Sequence, residues 1–115
     1  MNPEKFSPLT EASFYILISL ITPLHGYGVM KKVQELSTGR VKLAPGTLYG
    51  ALSNLQSSGL ITSGEGTHNR KKKMYKITLH GLTLAEYEIK RLQEMIDNGK
   101  TLLKSGKEAV NVETC

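Results

Sequence analysis

KLAPGTLYGALSNLQSSGLI, Lys42–Ile61, is the stretch on which the fold turns. Pro45 suits the first position of a helix, where its missing N–H has no intrahelical partner to lose. The helical pattern then runs for about fourteen residues, until Gly59 stops it. At about 100° per residue, Leu48, Ala51, Leu52 and Leu55 gather on one face. Opposite them lie Gly46, Gly50, Ser53 and Ser57, flanked by Tyr49 and Asn54. Glycine within a helix costs on the order of 1 kcal/mol relative to alanine. A whole face of such small groups therefore predicts the close approach of another molecule to the backbone.

Upstream, Thr10 is a good N-cap and Glu11 suits the first turn of the helix that follows. EASFYILISLI is apolar on most sides, so this first helix is expected to be buried nearly all round. Thr22-Pro23 ends it, because the residue before proline is pushed out of the helical region. LHGYG reads as a short connection. A second helix, Tyr27 to Leu36, is expected to bury Val29, Val33 and Leu36 while exposing Lys31, Lys32 and Glu35. Gly39 in STGR closes it in the left-handed conformation.

Downstream, LITSGE reads as a strand, GTHNRK as a turn, and KKMYKITL as a second strand with Tyr75, Ile77 and Leu79 on one side. Three helices and a β-hairpin make a winged helix-turn-helix, a mainly α (α+β) fold expected over residues 1–79. A last helix follows Thr78, which can cap it. Its Leu82, Ala85, Ile89, Leu92, Ile96 and Leu103 keep the spacing of a coiled-coil seam. The expected division is a dimerisation helix over 80–105 and a flexible tail over 106–115. The greasy first helix adds Phe14, Tyr15 and Ile18 to the same dimer interface.

Charge separates along the same boundary. Residues 1–79 hold ten Lys/Arg against four Glu, and residues 80–115 hold five against six Asp/Glu, within a net charge of +5. A basic body with a neutral appendage suits a polyanion partner. The 115 residues fit one domain. Ser19 interrupts the strongest apolar run, so no membrane span is expected. No signal peptide is apparent, and the single Cys115 permits no internal disulfide, so a cytoplasmic protein is the plain reading. His25, His68 and His80 are dispersed, which argues against a metal site. No nucleophile with its base can be recognised, so neither an enzyme nor a cofactor is expected.

The small-faced helix has the properties of a DNA reader. Gly46, Gly50 and Ser53 admit the backbone to a groove, while Thr47, Tyr49 and Asn54 offer donors, acceptors and an aromatic edge. Pro45-Gly46 sets the helix N-terminus where a phosphate can sit, and Lys42 precedes it. Asn69, Arg70, Lys71, Lys72 and Lys73 fall at the hairpin tip, where a solvated charge run becomes a phosphate or minor-groove contact. Tyr27 serves either as packing between helices or as a hydroxyl donor to phosphate.

TEASFYILISL, HGYGVMKKV, GRVKLAPGTLYGALSNLQSSGLI and RKKKMYKITLHG follow one another in an order and spacing that resemble the PadR family of bacterial transcriptional regulators, over about residues 9–105. The single C-terminal helix is similar to the shorter members. The resemblance implies a homodimeric repressor on an inverted-repeat operator in double-stranded DNA, often released by a small molecule such as a phenolic acid or planar drug. The chain has no Trp, so an effector site must use other aromatics such as Phe14 and Tyr15. The other class to be weighed is a winged-helix protein-interaction or ligand-sensing adaptor without sequence-specific DNA binding. That class would show an acidic or apolar face on the third helix, and this face is neither.

Overall fold

The computed structural model describes residues 2–64 and 73–114, with the backbone course alone for 111–114. A short 3-10 turn, Pro3–Phe6, precedes α1, Glu11–Ser19. Then come β1 (Leu24–His25), α2 (Gly26–Leu36), α3 (Pro45–Ser57), β2 (Ile61–Ser63), β3 (Met74–Ile77) and α4 (Leu79–Thr114). The first three helices, the sheet and the start of α4 share one core, in which Ile16, Leu17, Val29, Val33, Leu48, Leu52 and Leu84 are wholly buried. This is a winged helix-turn-helix with a long C-terminal helix.

The helix ends follow local chemistry. Thr10 Oγ1 accepts the Ser13 N–H at 3.1 Å and caps α1. Gly39 takes the expected positive φ after α2, and its N–H reaches Gln34 O. Thr78 Oγ1 accepts the Gly81 N–H at 3.1 Å and donates to Gly59 O at 2.7 Å, tying the start of α4 to the end of α3. Gly81 is required there, since a β-carbon would lie 2.2 Å from the carbonyl oxygen of Leu60.

Several expectations are corrected. LHGYG is more than a connection: Leu24 pairs with Tyr75 and His25 with Met74, so the sheet has three antiparallel strands in the order β1-β3-β2. His25 Nδ1 also meets the carbonyl of Lys73 at 3.1 Å. Leu36 closes α2 at its open end and is exposed, not buried. Leu79 begins α4 instead of extending β3, and it too is exposed. α1 is not buried all round, because Phe14, Tyr15 and Ile18 are only half-buried.

α4 departs furthest from the sequence reading. It runs through Gly99, within the expected helix, and then on past Gly106 to Thr114, across the residues read as a tail. A helical glycine costs only about 1 kcal/mol, and the helix formers beyond each one, Leu102 to Lys104 after Gly99 and Lys107 to Ala109 after Gly106, carry the helix past it. The helix has 36 residues, about 54 Å at the α-helical rise, in a molecule whose longest axis is 68 Å. Only its first turns are covered by the domain. There Leu84 is buried alongside Ala85, so Ala85 belongs to the chain's own core and not to a free seam. Among the described residues no helix is long and apolar enough to cross a membrane.

Candidate nucleic-acid interface

α3 is held by Leu48, Leu52 and Leu55, all buried. Its opposite side is open: Pro45, Gly46, Thr47, Gly50, Ser53 and Asn54 are all exposed. A β-carbon on Gly46 or on Gly50 would meet nothing within 4 Å. Neither glycine, then, is demanded by packing within the chain. Ala44, the residue before α3, makes no side-chain capping bond to the first N–H groups of this helix.

Tyr49 is placed differently from its neighbours. It is half-buried and packs on the core, with its ring against Gly26 at the start of α2. A β-carbon on Gly26 would lie 2.6 Å from the Tyr49 hydroxyl and 2.9 Å from two ring carbons. The first glycine of HGYG thus exists to seat this ring, which sets α2 against α3. Tyr27, one residue on, is 68% exposed. The Lys31 ammonium lies 5.8 Å from its ring centroid, a cation–π distance. Exposure removes the reading of Tyr27 as packing between helices.

Lys42 is exposed just before α3, and Lys73 is half-buried just before β3. Asn69, Arg70, Lys71 and Lys72 lie outside the described residues. Arg40 is committed elsewhere: its guanidinium pairs with the Glu11 carboxylate on α1. That contact holds the Glu11 carboxyl below its ordinary range and raises the guanidinium's pKa.

Two hollows flank the N-terminal segment, and Phe14 and Tyr15, the aromatics named for an effector site from sequence, line one of them. A groove of about 490 Å³ runs beside α3 between Thr47, Gly50 and Asn54 on one side and Phe6, Leu9 and Ser13 on the other. A smaller cavity of about 290 Å³ lies between α1 and α4, lined by Leu9, Phe14, Tyr15, Glu88, Arg91 and Leu92. Glu88, 1% exposed, accepts from Ser7 Oγ at 2.7 Å, Leu9 N–H at 2.5 Å and Arg91 Nε at 2.6 Å. The Arg91 guanidinium, with the Leu9 N–H and the Ser7 hydroxyl, outweighs burial and holds its pKa down to about 2. Partners some 80 positions apart in the chain leave no periodic signal. Among the described residues no group of His, Cys, Asp or Glu is arranged to hold a metal ion.

Of the residues expected at a dimer interface, Leu82, Ile89, Ile96 and Leu103 are exposed on one side of α4. Leu92, Phe14, Tyr15 and Ile18 are half-buried near its base. Val110, seven residues beyond Leu103, continues the register and is also exposed.

Comparison with known proteins agrees with this architecture. No curated protein matches the chain. A transcriptional regulator from Clostridium thermocellum has a similar structure, with 26% identity, 80% of this chain and 89% of that one covered, and a TM-score of 0.59. A PadR family transcriptional regulator from Eggerthella lenta gives 26% identity, 79% and 80% coverage, and a TM-score of 0.65. BpsR of Bordetella bronchiseptica shares the fold, with 20% identity, 80% and 65% coverage, and a TM-score of 0.62. The family model described as "Transcriptional regulator PadR-like family" matches residues 16–86, from α1 into the first turns of α4 and well over half of the chain. The chain belongs to the PadR-like family of transcriptional regulators.

Proposed function

We propose that this regulator is a cytoplasmic repressor that binds an inverted-repeat operator as a homodimer, with α3 in the major groove. The observation that carries the reading is the open face of α3, where Gly46 and Gly50 have no internal reason to be small. Thr47, Ser53 and Asn54 meet base edges, and the uncapped N–H groups at the start of α3 receive a phosphate. Tyr27, Lys42 and Lys73 follow the sugar–phosphate backbone, while Asn69 and Arg70 to Lys72 clamp it from the wing. Tyr49 contributes mainly by bracing α3 against α2, since its ring rests on Gly26.

The dimer forms along α4. Exposed Ile89, Ile96, Leu103 and Val110 supply the seam, and exposed Met95 and Leu102 widen it. A strip broader than a two-position seam fits a partner that also brings Phe14, Tyr15 and Ile18 of its first helix. The cavity between α1 and α4 is the proposed place for a releasing small molecule. Regulation of DNA binding by 6-hydroxynicotinic acid, described for BpsR, supports the existence of a small-molecule effector in outline, without bearing on its place.

Selection of bound fragments from genomic DNA, followed by footprinting, tests the reading. The expected footprint has two half-sites about one helical turn apart. Replacing Arg70 and Lys71 with Ala should then flatten the salt dependence by about one unit per lost phosphate contact. Failure to enrich any sequence would favour a protein-interaction or ligand-sensing adaptor.

A further inference from the structure

Glu88 is the one fully buried charged side chain among the described residues, and DNA binding as set out above makes no use of it. A buried carboxylate is costly unless it is fully partnered, so its partners show what it holds. Two of them, Ser7 Oγ and Leu9 N–H, belong to the N-terminal segment, and the third is Arg91 on its own helix. The carboxylate thus pins residues 7–9 to α4, more than 75 positions along the chain.

The pinned segment is also a wall of the groove beside α3. Phe6 and Leu9 face Thr47, Gly50 and Asn54 across it, and both pack on the core. Leu9 lines the α1–α4 cavity as well, where Glu88 and Arg91 form part of the lining. One residue therefore has the reader groove on one side and that cavity on the other, and its backbone is held by Glu88.

Resting on the DNA-binding reading above, we infer that Glu88 is a positioning residue for the reader: by clamping Ser7 and Leu9 it fixes the Phe6–Leu9 wall beside α3 and gives α4 control over operator affinity. The effect is one of shape. No phosphate contact passes through Glu88, so the salt dependence of binding is untouched by loosening the clamp. A preformed wall matters most for the complementary sequence, so specific binding suffers and non-specific binding does not. Whatever enters the α1–α4 cavity meets the same clamp, and a two-site coupling of this kind spans roughly 5–150-fold in affinity.

Ser7→Ala is the mildest test, because it removes one hydroxyl from the clamp and leaves the Glu88–Arg91 pair in place. Operator affinity, non-specific affinity, salt dependence and sedimentation are measured for Ser7→Ala, Ser7→Thr and the parent. Hydrogen exchange at residues 6–9 reports whether the segment has loosened. Ser7→Ala should speed that exchange and weaken operator binding by at least roughly fivefold. Non-specific binding, salt dependence and oligomeric state should stay as in the parent, and Ser7→Thr should restore operator affinity. Glu88→Gln should act in the same direction and more strongly. If exchange speeds up in Ser7→Ala while operator affinity is unchanged, or if specific and non-specific affinity fall together, the wall has no positioning role. If exchange does not change, Ser7 does not hold the clamp and the inference fails at its first step. A parent that binds no DNA would instead remove the reading on which the inference rests.

Discussion

α3 leaves one face uncovered and α4, beyond its first turns, carries an uncovered apolar strip, and the two surfaces are made of opposite materials. On α3 the open residues are Gly46, Thr47, Gly50, Ser53 and Asn54. On α4 they are Ile89, Met95, Ile96, Leu102, Leu103 and Val110. Burying large apolar side chains yields about 25 cal/mol per Å², so the α4 face gains by meeting another apolar surface. The α3 face has almost no apolar area to hide. Its small groups instead leave room for a helix backbone to come close to a ridged, hydrogen-bonding surface such as a major groove. On the proposed reading, side-chain size on an open face separates a protein partner from a nucleic-acid partner within one chain.

The largest expected effect tests the α4 side of this contrast. Ile96 is 48% exposed in the single chain, so Ile96→Asp should leave the protomer folded. Placed in a dimer seam, the carboxylate would be buried without a partner, at a cost of ~3 kcal/mol or more of association. Sedimentation should show monomer, with operator affinity falling as the two half-sites are unlinked. Leu92 is the poorer test position because it also lines the α1–α4 cavity. Dimers that persist in Ile96→Asp would move the interface off this face.

Next comes the base of α4, where the helix faces its own domain. Glu88 has a folded pKa of about 2 against an ordinary 4.5. Its lowered value means that its stabilisation is complete above the ordinary value and is lost as pH falls from there towards the folded one. The difference corresponds to roughly 3 kcal/mol. Urea unfolding between neutral pH and pH ~2 should show this loss in the parent and lack it in Glu88→Gln. Equal pH dependence in the two would show that other carboxylates carry the acid sensitivity.

A smaller effect separates the two kinds of glycine. Gly26→Ala forces the Tyr49 ring to move and should cost about 1–3 kcal/mol by overpacking. Gly50→Ala meets open space and should raise stability by up to about 1 kcal/mol, because alanine is the better helix former. Thermal melting of both variants decides the matter, and the signs should be opposite.

The sequence made α3 legible because its signals are local. Pro45, Gly59 and the leucine spacing mark α3, and Thr10 and Thr78 mark helix starts within a few residues of themselves. What it concealed depends on distant partners. β1 is only two residues long and exists because Tyr75 and Met74 lie beside Leu24 and His25. Glu88 looks like one more surface carboxylate of a charged helix until Ser7 and Leu9 are folded onto it. Leu84 escaped because the seam spacing selects Leu82 and Ala85, whereas the domain covers the side of Leu84, Ala85 and Glu88. At Gly106 a stop signal was outweighed by the helix formers that follow it.

Gly50→Leu bears most directly on the open face of α3. The position points away from Leu48, Leu52 and Leu55 into open space, and leucine is a better helix former than glycine. The melting temperature should therefore be no lower than that of the parent. Operator binding, measured on the same samples, should be abolished, because an isobutyl group would hold the helix backbone away from the bases. A variant that melts like the parent and binds operator equally well would show that α3 does not enter the groove by this face.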